Sequence, residues 1–145
     1  MSQNPVWIIY VFTGALLMSG ADAFVKLASG KVSNSLGVLI YGSCTFALGL
    51  GWVLWQKVHG VTLHGQTSGL LASFGVGVCF ALVTVVLYVL FAAGAPISLV
   101  SPSIRLGGLL GASIIGLLLW HEPLTLRYII GVVLACGGIY LVITR

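Results

Sequence analysis

Charge is what this chain lacks. Lys and Arg number 6 and Asp and Glu 2 among 145 residues, so that 6% are charged, against about 25% in soluble globular domains. No water-facing surface can be assembled from so few charges, which excludes a soluble domain. The formal balance of +4 is dispersed, with no run of basic residues, and so does not point to nucleic acid as a partner. Cysteine is equally sparse. Cys44, Cys79 and Cys136 lie far apart with no Cys-x-x-Cys or Cys/His spacing, so neither a metal site nor a disulfide framework is expected. They read as small packing thiols. No Ser/His/Asp set and no Gly-rich phosphate loop with its Lys is present, and an intramembrane aspartyl protease needs two opposed carboxylates. Enzyme chemistry, a cofactor and a metal are therefore not expected.

What the chain has instead is five long apolar stretches, at about 6–21, 36–55, 70–95, 97–120 and 126–143. A bilayer core about 30 Å thick takes about 20 apolar helical residues. The first and last stretches are short and reach full span only with their flanks, 22–27 and 123–125. The expected fold is all-α, a polytopic membrane protein of five transmembrane helices forming one domain over residues 1–145. The opening residues lack a positive segment and a small-residue cleavage site, so the first stretch is read as a retained helix. The connections, 28–35, 56–67, 94–96 and 121–125, are too short to hold a site, and function is expected among the helices. Lys57, His59 and His64 in the second connection read as wetted interfacial residues without obvious partners.

Small residues recur at four-residue spacing in the first four stretches: Ala15/Ser19/Ala23, Ser43/Ala47/Gly51, Ser73/Gly77/Ala81 and Gly108/Ala112/Gly116. Such ridges let helix backbones approach closely in lipid, so tight packing is expected along them. Trp7, Trp52, Trp55, Trp120 and Tyr128 fall on the N-terminal side if the spans alternate, an interfacial aromatic belt.

Ionisable groups inside a span are costly and by default functional. Asp22 lies about sixteen residues into the first helix, in the far third of the core. Lys26 follows at i+4 on the same face, so Ser19, Asp22, Lys26 and Ser29 form a polar stripe. It reads either as a coupling site or as an internal ion pair that orients the helix. Arg105 follows Pro96 and Pro102 at the start of the fourth span. Ser101 as N-cap with Pro102 at the first helical position predicts a helix that restarts inside the membrane. Arg105 shares a face with Gly108 and Ala112 and so points inward, either to a substrate or gating role or to an ion pair with Asp22. Thr84 and Tyr88 on the third span and Tyr41 on the second are candidate hydroxyl donors to a central cavity, with plain packing as the other reading. Glu122 sits in a tight turn before Thr125, a plausible N-cap for the last helix.

The run Ser101-Pro-Ser-Ile-Arg-Leu, the turn Leu119-Trp-His-Glu-Pro-Leu-Thr and the closing Ile130-Gly-Val-Val-Leu-Ala-Cys-Gly-Gly-Ile-Tyr-Leu-Val resemble the drug/metabolite transporter superfamily, EamA type. His121 stands where that family usually has Gly, and Lys26 in Phe24-Val25-Lys26 matches its common Lys. The resemblance covers the chain as a single five-helix repeat, half the size of most members. It implies a secondary transporter or exporter of a small polar metabolite in a bacterial inner (plasma) membrane, working as a dimer by alternating access. Its partners would be membrane lipid, a small-molecule substrate, and either a second copy in antiparallel orientation or a different half-size subunit, possibly to move a lipid-linked substrate. The four-helix multidrug relatives carry an essential Glu in the first helix that has no counterpart here, so their cation/proton exchange is not carried over. Lys57 and Arg127 fall on the N-terminal side and Lys26, Lys31, Arg105 and Arg145 opposite. With Lys26 and Arg105 inside the membrane the count is balanced, as insertion in both directions requires.

Overall fold

In lipid every backbone N–H and C=O must be satisfied within the segment, which leaves the helix as the solution for long apolar runs. The computed structural model describes residues 6–119, 121 and 125–144, without the side chains of 6, 7, 139, 142 and 143. These residues form five α-helices: α1 (Val6–Ala28), α2 (Asn34–Val58), α3 (Thr67–Ala92), α4 (Ile97–Leu119) and α5 (Leu126–Ile143). No strand is present among them beyond one isolated bridge between Ser29 and Val32. Trp120, Glu122 and Arg145 lie outside the described residues, as does the side chain of Trp7.

Helices α1 to α4 are long and apolar enough to cross a membrane. Their large side chains point outward, as at Phe12, Leu16, Phe46, Leu48, Leu71, Phe74 and Leu118. Water would not tolerate that surface, whereas a bilayer favours it, and the four apolar helices support an integral membrane protein. The flank 22–27 is helical, so α1 gains its expected length of 23 residues. Of the flank of α5, residues 123 and 124 lie outside the described residues, and Thr125 does not extend the helix. Thr125 is extended at ψ 147 and caps the helix, its Oγ1 accepting from the Tyr128 amide at 3.3 Å, which leaves 18 residues or about 27 Å.

The expected restart in the fourth span does not occur. Helix α4 runs unbroken with Pro102 inside it. Its start is set upstream, where the Pro96 carbonyl accepts from the amides of Leu99 and Val100, both at 3.1 Å. With the first turn already closed, Pro102 forgoes only its own bond to the Ser98 carbonyl.

Glycine ends the second helix. Gly60 takes φ +72, its amide reaches the Lys57 carbonyl at 3.2 Å, and the Val61 amide reaches Gln56 at 3.0 Å. This is the paired closure that satisfies the last carbonyls of a helix. Gly94, at φ +88, closes α3 onto the Phe91 carbonyl at 3.1 Å.

The chain forms two compact units, one of residues 1–19 and 95–145, the other of residues 20–94. In the first, α4 packs on α5; in the second, α2 packs on α3. Close approach along the small-residue ridges is largely absent. A Cβ added at Gly51, Gly77 or Gly108 would meet nothing within 4 Å, although Gly116 is buried. A tight approach occurs at Gly37, off those ridges, where an added Cβ would lie 2.5 Å from Cζ of Tyr88.

Candidate functional site

Hydroxyl groups in a membrane helix have few partners except the carbonyl one turn back. Thr13, Ser19, Ser43, Thr45, Ser73 and Thr84 each donate to residue i−4 at 2.9 Å, and Ser29 does so to Val25 at 2.8 Å. The stripe drawn from the sequence through Ser19, Asp22, Lys26 and Ser29 is thereby reduced to its two charged members, because both serines are committed to their own helix.

Within residues 20–94, burial concentrates at one end of the helices. Asp22 is 7% exposed, Thr84 8%, Tyr88 7% and Phe91 3%, with Leu87 beside them. Thr84, Leu87, Tyr88 and Phe91 fall at i, i+3, i+4 and i+7, one face of α3. Tyr88 lies against the bare backbone of Gly37 at the start of α2. Lys26 Nζ stands 5.3 Å from the centroid of the Phe91 ring, within reach of a cation–π contact. That contact puts the end of α1 beside the end of α3, with Asp22 one turn deeper on the same face as Lys26. Thr84 places its hydroxyl on the Phe80 carbonyl rather than on a neighbouring helix.

Tyr41 is elsewhere. It is 36% exposed and lines an open groove of about 720 Å³ between α2 and α3, with Val38, Thr45, Phe46, Gly77 and Phe80. This groove is apolar and does not include Asp22. Asp22 and this groove are therefore different places.

Within residues 1–19 and 95–145, Arg105 is half-buried, and its Nη1 donates to the sulfur of Met18 at 2.9 Å. A thioether is a weak, uncharged acceptor. One turn back, the Ser101 hydroxyl oxygen is buried without a hydrogen-bond partner among the described residues. Toward the other end of α4, Ser113 bonds Tyr128 of α5 and also donates to the Leu109 carbonyl at 2.6 Å. Since the serine proton serves Leu109, the Tyr128 hydroxyl is the donor in the pair. Tyr128, read from the sequence as part of an interfacial belt, thus also ties α5 to α4.

The second connection has more local order than its sequence shows. The His59 ring stacks on Trp55 at 4.4 Å between centroids, with Nδ1 2.8 Å from the Trp55 carbonyl. His64 Nδ1 lies 3.0 Å from the Thr62 carbonyl. A carbonyl only accepts, so Nδ1 carries the proton in both rings.

Met18, Gly37 and Phe91 escaped the sequence reading, and Ser101 entered it only as a helix cap. Phe91 completes the i, i+3, i+4, i+7 face that Thr84 and Tyr88 begin. Met18 and Gly37 left no signal, because both depend on which helix passes nearby. Among the described residues no group of three His, Cys, Asp or Glu side chains is placed to hold a metal ion. No protein-family model matches the chain, and no curated protein or solved structure matches it.

Proposed function

We propose that the chain is a half-size secondary transporter or exporter of a small polar metabolite, in a bacterial inner membrane, working by alternating access as a dimer. The observation that carries this reading is Asp22, a carboxylate 7% exposed on a helix long and apolar enough to cross a membrane. Burying an ionisable group there costs several kcal/mol unless a pathway or partner uses it. Arg105, nine residues into α4, is a second such group, and the resemblance to EamA-type repeats supports the same class. The open ridges at Gly51 and Gly108 support a second chain, since small-residue faces are where membrane helices associate.

The test is flux in vesicles of purified protein loaded with a mixture of polar metabolites. Protein-dependent loss of one metabolite, abolished by Arg105→Ala in a variant that still purifies as an intact oligomer, is the expected result. No protein-dependent flux of any metabolite sinks the reading. Cysteine labelling of Ser33→Cys and Val58→Cys, with Cys44, Cys79 and Cys136 replaced, tests the arrangement of copies. Reaction of each site from both faces is expected of the antiparallel homodimer. Reaction from one face only favours a different half-size partner. That second reading, a subunit of a heteromeric carrier for a lipid-linked substrate, is supported by the apolar α2/α3 groove, whose lining suits an acyl chain.

A further inference from the structure

The hydroxyls named above as bonded within their own helices occur along α1 to α4, but Ser101 departs from that habit. Its Oγ is buried and has no hydrogen-bond partner among the described residues. An unsatisfied buried polar atom is costly and calls for an explanation in the function of the site. Ser101 lies four residues before Arg105. At 100° per residue, Ser101, Arg105, Gly108 and Ala112 fall within an arc of about 60° on α4. Helical side chains lean toward the N-terminus, so the Arg105 side chain leaves α4 toward the turn that holds Ser101, and its Nη1 reaches the Met18 sulfur. Gly108 keeps the next turn of this face free of bulk, with nothing within 4 Å of an added Cβ. A guanidinium and a buried hydroxyl able to donate, one helical turn apart on one face, are a pairing that can receive an oxyanion: the guanidinium fork supplies charge and parallel N–H groups, and the hydroxyl supplies one more bond.

We propose that Ser101 and Arg105 form an oxyanion-binding site, which takes a carboxylate or phosphate group. This rests on the transport reading only for its purpose, since it makes the carried molecule an anion. The anion can belong to a soluble metabolite or to a lipid headgroup.

The test is binding to the purified full chain in phosphatidylcholine nanodiscs, followed by thermal shift and calorimetry. Phenyl phosphate and benzoate are the anionic probes and benzylammonium the cationic control. Either anion is expected to bind, and benzylammonium is not. Ser101→Ala is expected to weaken anion binding roughly tenfold, the size of one charge-assisted hydrogen bond, and Arg105→Gln by roughly a hundredfold. Ser103→Ala, about 200° around the helix from Ser101, is expected to bind as the parent does. If Arg105→Gln does not fold, the contrast between Ser101→Ala and Ser103→Ala still decides the matter. Anion binding in pure phosphatidylcholine identifies a soluble ligand. A stabilisation that appears only when phosphatidylglycerol is added, and is lost in Ser101→Ala, identifies a headgroup. Equal binding of benzylammonium, no response to any anion, or an unchanged Ser101→Ala overturns the proposal. Metabolite flux without anion binding overturns it while leaving transport standing; anion binding without flux supports it while transport falls.

Discussion

Gly37→Ala tests whether the contact of α2 with α3 is as close as the coordinates place it. The new methyl would sit 2.5 Å from Cζ, 2.6 Å from Cε1 and 2.8 Å from the hydroxyl oxygen of Tyr88. Carbon atoms prefer about 3.5–4.0 Å, so the ring or the helix must move by roughly 1 Å. Tyr88 is buried and stiff, and cannot yield as the end of a flexible chain would. Overpacking of this kind costs about 1–3 kcal/mol. Helix propensity opposes it by about 1 kcal/mol in favour of Ala, leaving a net loss of roughly 0–2 kcal/mol. Gly49→Ala, on the same helix and with nothing within 4 Å of its added Cβ, measures the propensity part alone. Unfolding in a graded mixture of mild and denaturing detergent reads both. Tyr88→Leu removes the three clashing atoms, so the double variant Gly37→Ala/Tyr88→Leu should be more stable than the sum of its singles by about 1–2 kcal/mol. Gly37→Ala as stable as Gly49→Ala, or an additive cycle, would refute the packing described here.

Tyr128→Phe should cost only about 0.6 kcal/mol, the usual size of an interhelical hydrogen bond in lipid, because Ser113 keeps its bond to Leu109; a loss above about 2 kcal/mol in the same unfolding assay speaks against this pairing. His121, the described non-Gly residue with positive φ, at 50°, pays for a left-handed backbone, so His121→Gly should raise the thermal midpoint by an amount matching roughly 0.5–1 kcal/mol; a lowered midpoint rejects that conformation. Asp22→Asn should leave the protein folded and make flux independent of an imposed pH gradient, while pH dependence equal to that of the parent removes Asp22 from coupling.

The positions of the helices were legible because lipid imposes one rule on every residue. Apolar length and internally satisfied backbone bonds suffice to place a span, and so the last stretch, 126–143, coincides with α5. The start of the fourth stretch, at 97, likewise coincides with that of α4. Its continuity was not legible: Pro96 and Pro102 both signal a boundary, and only the closure of the first turn on the Pro96 carbonyl lets the helix run on through Pro102. The stop of α2 was less legible than its start: the apolar stretch ends at residue 55, whereas the helix runs to Val58 and closes at Gly60. Asp22, Lys26 and Arg105 stood out because so few charges occur in the spans. Their surroundings did not, since nothing in the order of residues says that Lys26 meets Phe91 or that Arg105 meets Met18.

The sequence by itself determined a membrane-embedded helical chain, its turns and its few costly polar groups, because each follows from the solvent and from local backbone chemistry. Tertiary structure alone decided that Tyr88 is packed against Gly37 rather than lining the groove that holds Tyr41, and that Ser101 keeps a buried hydroxyl unbonded among the described residues. Those outcomes depend on which helix faces cross. Ridges of small residues permit many crossings of similar energy, and only the fit of particular side chains selects one.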